Sequence, residues 1–145
     1  MSAPVATAAL DSERILVRSA PEEIAYLPGA QWGDRLPQLI QARMVQSLEN
    51  AQLLASVSRT GQGVAGDWSM SGEVRRFEID APSGQAVVEI TVKLANNAAG
   101  RIVGAMVARG AAPGSAARPE DAAAALDAAL AQAMAQIVAF VRARV

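Results

Sequence analysis

The stretch that decides the fold is residues 13–51, ERILVRSAPEEIAYLPGAQWGDRLPQLIQARMVQSLENA. Its first half alternates apolar residues such as Ile15 and Val17 with charged or polar neighbours, and an apolar run follows at 24–27. These patterns predict two short strands, which Pro28-Gly29 brings to an end. Apolar residues then recur at helical spacing, and they are Leu36, Leu39, Ile40, Met44 and Leu48. One face of this helix must therefore lie on an apolar surface.

The start of this helix is marked by three residues. Asp34 is the predicted N-cap, because its carboxylate can accept hydrogen bonds from the free N–H groups of the first turn. Pro37 falls within that turn, where a missing N–H costs nothing. Trp32 stands just before the helix, where a tryptophan either covers the end of the core or forms an exposed anchor. We expect the core role for Trp32 and retain it as a candidate partner or ligand contact.

The middle of the chain is typical of antiparallel sheet. Residues 53–58 form a short apolar strand in this interpretation, and period-two alternation over 68–74 slips by one residue before it resumes at Phe77. The extra residue predicts a β-bulge at Arg75 and Arg76. These two arginines are candidate contacts for an anionic headgroup or a partner carboxylate.

A hairpin and a second helix complete the predicted fold. Residues 86–94 show the clearest alternation, a turn follows at 96–100, and 101–109 form the hairpin partner. The segment GAAPGSAAR at 110–118 is typical of a linker. Pro119 then opens a helix with the apolar stripe Leu126, Leu130, Met134, Ile137 and Val141. The order of elements predicts a single α+β domain over 1–145, with both helices on one face of an antiparallel sheet.

Composition excludes several classes of function. The chain has 145 residues, a net charge of −1, and neither cysteine nor histidine. It therefore has no thiol nucleophile, imidazole base or His/Cys metal site, and it lacks the basic surplus of a nucleic-acid binder. The sequence predicts no apolar run long enough to cross a bilayer, because Gln132 and Gln136 interrupt the longest one.

Two apparent catalytic motifs have structural explanations. A G-x-G-x-x-G occurs at 61–66, but the residues after it are typical of a strand, so no helix is available to receive a phosphate. We interpret it as an interstrand loop. The carboxylates of Glu78 and Asp80 are expected to be solvated on the polar side of a strand. We therefore predict no catalytic, cofactor-binding or metal-binding residue and no enzymatic activity.

The chain resembles the ABC-type transport auxiliary lipoproteins, the family that includes the PqiC-like proteins. The resemblance lies in RILVR at 14–18, IAYLPG at 24–29 and WGDRLP at 32–37. It continues through GDWSM at 66–70 and EVRRFEI at 73–79. Members of this family begin with a signal peptide and a lipidated cysteine. We expect the native product to extend upstream of Met1 with both, and with part of the first strand.

The resemblance implies a non-catalytic periplasmic accessory component of an ABC/MCE-type lipid transport system in a Gram-negative envelope. Its implied partners are an MCE-domain protein, the permease and ATPase of the transporter, and the outer membrane through a lipid anchor. A homo-oligomer stays open as a further interpretation. The alternative function is a carrier for one lipid or other apolar ligand held between sheet and helices. A scaffold predicts closed layers with no pocket above about 300 Å³, whereas a carrier predicts a larger cavity.

Overall fold

The structure is a computed structural model that describes residues 4–6, 10, 15–20, 23–27, 35–53, 68–96, 99–115 and 117–144. Trp32, Asp34, the glycine motif at 61–66 and most of the strand predicted at 53–58 lie outside these residues. Leu53 is described, and it follows the first helix outside any strand.

Six strands and two helices are present in the described part of the chain. They are β1 (Val5–Ala6), β2 (Leu16–Ala20), β3 (Glu23–Tyr26), α1 (Leu36–Asn50), β4 (Trp68–Asp80), β5 (Gln85–Asn96), β6 (Arg101–Pro113) and α2 (Pro119–Arg142). The strands form one sheet in the order β3-β2-β4-β5-β6, with β1 also paired to β4. The predicted α+β class is confirmed.

The sheet is mixed, whereas the sequence predicted an antiparallel one. The pairs β2–β3, β4–β5 and β5–β6 are antiparallel, but β1 and β2 both run parallel to β4. Parallel neighbours need a long crossover, and β3 together with α1 lies between β2 and β4 in the chain. Period-two alternation specifies which side chains share a face, but it carries no information about strand direction.

One face of the sheet forms the core with both helices. The buried strand residues on this face are Met70, Val74, Phe77, Ile79, Ala86, Val88, Ile90, Val92 and Leu94. Helix α2 packs on β4, β5 and β6, and α1 packs beside α2. The predicted α2 stripe is entirely buried, as is the α1 stripe apart from Leu39, which is half-buried. The placement of the helices is therefore as predicted.

The bulge in β4 is confirmed, and it decides which side chains reach the core. The pairing of β4 with β5 shifts between Val74 and Arg76, so that Arg76 lies opposite Glu89 and Phe77 opposite Val88. If the pairing continued from Val74 without this shift, Arg76 would lie opposite Val88 and would point toward the helices. The bulge thus keeps an arginine out of the core and returns Phe77 to it.

Two boundaries differ from the predicted ones. The N-cap of α1 is Arg35, which makes no side-chain capping bond, and not Asp34. Pro37 does lie in the first turn, as predicted. Strand β6 runs to Pro113, so residues 110–113 belong to the sheet and not to a linker. Gly110 explains this difference, because its missing Cβ lets the α2 backbone at Ala129 approach: an added Cβ would lie 1.8 Å from the Ala129 carbonyl oxygen.

Helix α2 corrects a further prediction, because its 24 residues are long and apolar enough to span a membrane by length and composition. Half of its most apolar window is buried within the fold. Its apolar stripe lies on the sheet, and the side chains of Gln132 and Gln136 bond the backbone of β6. These contacts are those of a core helix.

Candidate functional site

The candidate site lies on the sheet face opposite the helices, here called the opposite face. Because successive side chains of a strand point to opposite sides, the residues of β4, β5 and β6 that avoid the core share this face. Charged side chains of alternating sign cross it from strand to strand. This charge row consists of Arg18 on β2, Glu78 and Arg76 on β4, Glu89 on β5 and Arg109 on β6.

Glu78 is the buried centre of the charge row, with only 1% of its surface exposed. Its Oε2 accepts a hydrogen bond from Arg18 Nε at 2.7 Å and another from Arg76 Nη2 at 3.2 Å. The solvated role predicted for this carboxylate is wrong. Glu78 pairs with Leu16 of β2 on one side and Val87 of β5 on the other, so neighbouring strands flank it. A buried carboxylate needs such partners, since an unpaired charge would be costly to desolvate.

The other half of the row is more exposed. Arg109 Nε lies 3.4 Å from Glu89 Oε2, and the side chains are 72% and 18% exposed. Glu89 is also the register partner of Arg76, which joins the two halves through the bulge. The row contains three arginines and two glutamates, so it carries a surplus of one positive charge. That surplus suits a partner with acidic groups.

Arg75 occupies a different environment from Arg76. Its Nη2 lies 3.9 Å from Glu73 Oε2, and both side chains are 54% exposed. An exposed pair at this distance contributes little to stability. Arg75 is therefore available for intermolecular contact, whereas Arg76 is engaged with Glu78.

Next to the charge row lies a cleft of about 410 Å³. Its lining includes Ser71, Gly72, Glu73, Thr91 and Lys93. The hydroxyl oxygen of Thr91 is buried and makes no hydrogen bond to any residue that the structure describes. The scaffold hypothesis predicted that no pocket would exceed about 300 Å³, and this prediction is wrong for the opposite face.

Between the helices and the sheet, the described residues pack closely around Phe77. A cavity of only about 60 Å³ lies between the helices and the sheet, where Leu36, Ile40, Phe77 and Leu130 meet. This space is much smaller than the roughly 300 Å³ typical of a small-molecule site. An acyl chain therefore has no room at this point between sheet and helices.

The structure brings together residues that the sequence patterns did not connect. Arg75 and Arg76 were predicted as candidate contacts, and Trp32 lies outside the described residues. Glu78, Arg18 and Arg109 were missed as members of one cluster. The polar position of Glu89 and the bulge could have suggested its pairing with Arg76, but the position of Arg18 depends on the parallel pairing of β2. Within the described ranges, no group of three acidic side chains is placed to hold a metal ion.

Comparison with known proteins identifies the class. The sequence profile of the ABC-type transport auxiliary lipoprotein component family matches residues 1–138. The chain belongs to this family. Uncharacterized protein bll6063 of Bradyrhizobium diazoefficiens is 32% identical over 87 residues, which are 60% of this chain. The match spans only 23% of that relative's own length.

Two crystal structures share the fold. Protein XCC0632 of Xanthomonas campestris, a DUF330 protein, aligns with a TM-score of 0.86 and 29% identity, covering 96% of this chain and 79% of that one. A second, uncharacterized protein aligns with a TM-score of 0.79 and 15% identity, covering 97% and 88% of the two chains. At 15% identity the second likeness concerns the fold alone.

Proposed function

We propose that this protein is a non-catalytic accessory component of an ABC/MCE-type lipid transport system, lipid-anchored to the outer membrane in the periplasm of a Gram-negative envelope. The observation that carries this proposal is the family match over residues 1–138, which identifies a transport auxiliary lipoprotein. Its partners in the proposal are an MCE-domain protein and the associated permease and ATPase. No bond chemistry is required of it.

The geometry supports a role through protein contacts. Helices α1 and α2 use their apolar faces within the fold, and the cavity where Leu36 and Ile40 meet Phe77 is only about 60 Å³. The opposite face, in contrast, presents charged groups with a positive surplus and an exposed Arg75. Complementary charge mainly gives specificity and faster association, which suits the assembly of a transport complex. We assign the partner contact to this face.

Crosslinking in the native host tests this assignment. A photoreactive amino acid replaces Arg75 on the opposite face of the full-length protein, and the same group replaces Ala128, an exposed residue of α2, as a control. We expect the MCE-domain protein to be captured from position 75 and not from position 128. Capture from position 128 alone would place the contact on the helical side and contradict the assignment.

The carrier function is the second candidate, and the cleft of about 410 Å³ favours it because that volume lies in the range of ligand sites. The charged side chains of Glu73 and Lys93 at the cleft fit a polar headgroup better than an acyl chain. Native mass spectrometry of the protein purified from a lipid-rich host distinguishes the two functions. A stoichiometric phospholipid or fatty acid would support the carrier, and a lipid-free protein that binds the MCE partner would support the accessory role.

A further inference from the structure

Strand β6 is the last strand in the described sheet order, and the two halves of its outer edge are treated differently. Beyond Arg109, α2 closes the edge. The Gln136 side chain accepts from the Arg109 N–H at 2.9 Å and donates to its carbonyl at 2.6 Å. The Gln132 side chain does the same for Ala111, at 3.1 and 2.9 Å. Two glutamines one helical turn apart thus replace a neighbouring strand.

These bonds show which backbone groups point away from β5. In an antiparallel ladder, alternate residues direct both N–H and C=O to the same side. Since the backbone N–H and C=O groups of Arg109 and Ala111 point away from β5, those of Val107 and Ala105 do so as well. The next residues along the same line are Phe140 of α2 and Arg144, which lies just beyond the end of the helix. Phe140 has no side-chain donor or acceptor, and Arg144 bonds the Phe140 carbonyl at 3.2 Å while its guanidinium covers the Phe140 ring.

The first half of β6 is therefore an open edge in the described structure. No hydrogen bond joins the outward groups of Ala105 or Val107 to another described residue. The strand also exposes two large apolar side chains here, Ile102 at 61% and Val107 at 45%. Unpaired, flat and partly apolar edges are templates for strand addition, and proteins usually block them. The described residues of this chain block only the second half.

The charges around the open edge indicate the partner. Exposed cationic residues surround it, and they are Lys93, Arg101, Arg109 and Arg144. The acidic residue opposite Arg109 is Glu89, which is already paired with it. A second copy fits poorly, because antiparallel pairing of two β6 strands centred on Ala105 would set Arg101 and Arg109 of the two copies opposite each other. Like charges facing across a strand pair are destabilising.

We propose that residues 103–107 of β6 bind an extended segment of a different protein as an added strand, and that this segment alternates apolar residues with acidic ones. Backbone bonds to Ala105 and Val107 supply the register, apolar side chains cover Ile102 and Val107, and acidic side chains pair with the surrounding cations. This edge is distinct from the opposite face, and the inference does not depend on which transport system the protein serves.

Peptide binding to the whole chain tests the proposal. The probe is a fluorescent peptide of alternating valine and glutamate, and fluorescence polarisation measures its binding. Two control peptides carry either N-methyl groups on alternate backbone nitrogens or lysine in place of glutamate. We expect saturable binding of the probe and a loss of at least about tenfold in affinity with either control. Equal binding of the N-methylated peptides, methylated in either register, would overturn the added-strand mode.

Two proline variants locate the site. Val107→Pro removes an outward N–H that donates to no described residue. Ala111→Pro removes the outward N–H that donates to Gln132 Oε1. Neither N–H belongs to the ladder with β5, so proline is tolerated at both positions. Circular dichroism confirms that each variant is folded. We expect Val107→Pro to weaken peptide binding at least about tenfold and Ala111→Pro to leave it unchanged. The opposite ranking would overturn the proposal, and so would self-association of the unaltered chain that Val107→Pro abolishes. Should Val107→Pro fail to fold, the N-methylated peptides on the unaltered chain decide the question.

Discussion

The same strands present apolar side chains on one face of the sheet and charged side chains on the other. The helix-covered face buries medium-sized aliphatic side chains such as Val88 and Ile90 against the helices, and the cavity beside Phe77 is only about 60 Å³. The opposite face carries the charge row, in which the buried carboxylate of Glu78 is held by Arg18 and Arg76. The first face stabilises the fold through apolar burial, and the second presents charge to the surroundings.

The bulge at Val74–Arg76 connects these two roles. It shifts the pairing by one residue, so Phe77 returns to the core while Arg76 joins Glu78 and Glu89. A single inserted residue thus serves both faces at once. Side-chain packing therefore determines stability on the helix-covered face, whereas charge pairing determines it on the opposite face. A substitution can disturb one without the other.

The largest effect is expected on the helix-covered face, at the contact between Gly110 and α2. Gly110→Ala places a Cβ 1.8 Å from the Ala129 carbonyl oxygen if nothing moves, so the helix must shift. We expect a loss of about 3 kcal/mol in the free energy of unfolding, measured by denaturant titration. Gly72→Ala is the control on β4, where the nearest backbone oxygen is 3.2 Å away, and it should cost under about 1 kcal/mol. Similar losses for both variants would show that the close approach of α2 is not limiting.

A smaller effect is expected in the charge row. Glu78→Gln removes the negative charge to which Arg18 and Arg76 bond, and we expect a loss of about 2 kcal/mol in the free energy of unfolding. This is below the cost for a fully buried pair because the arginine side chains are 30% and 37% exposed. The matched control is Glu73→Gln on the same strand, whose exposed pair with Arg75 contributes under about 0.5 kcal/mol. Equal unfolding midpoints would mean that Glu78 is held by packing and not by charge.

The edge between the two faces depends on the glutamines of α2. Gln136→Ala removes both bonds to Arg109, and because water can replace them at an exposed edge we expect a loss of about 1 kcal/mol. Hydrogen exchange of the Arg109 amide should accelerate at the same time. Gln46→Ala on α1 is the control, since Gln46 bonds only Asn50 within its own helix and should cost about 0.3 kcal/mol. Unchanged exchange at Arg109 would contradict the clamp.

The smallest effect concerns the ion pair that links the two helices, Arg43 with Asp127. The two side chains are 39% and 64% exposed, so solvent screens their attraction. A double-mutant cycle with Arg43→Ala and Asp127→Ala should give a coupling of about 0.5 kcal/mol, and it should vanish in about 1 M salt. A coupling that persists at high salt would indicate a buried contact between the helices.

Local patterns were sufficient for much of the fold. The alternation over 86–94 gave β5, Pro119 marked the start of α2, and the phase slip at Arg75–Arg76 located the bulge. Each of these features depends on residues close together in the chain. Arg75 was predicted as a candidate contact because of the bulge, and the structure shows its side chain exposed there.

Features that depend on distant neighbours were predicted incorrectly. Glycine and proline in 110–113 indicated a linker, but α2 holds these residues in β6 through Gln132 and the approach at Gly110. The burial of Glu78 could not be read from its strand, because β2 and Arg18 reach it from 60 positions earlier in the chain. The α2 sequence, long and apolar enough for a membrane span, is identified as a core helix only by its contacts with β6.

The amino-acid sequence indicated the family through its motifs at 14–18, 24–29 and 32–37. It also specified the α+β class, the apolar stripes of both helices and the bulge, because periodicity and turn chemistry act over a few residues. Only the tertiary structure decided the parallel placement of β1 and β2, the burial of Glu78 and the unequal halves of the β6 edge. These depend on which surfaces meet after long loops close. An apolar stripe or a charge has the same local pattern whatever it finally contacts.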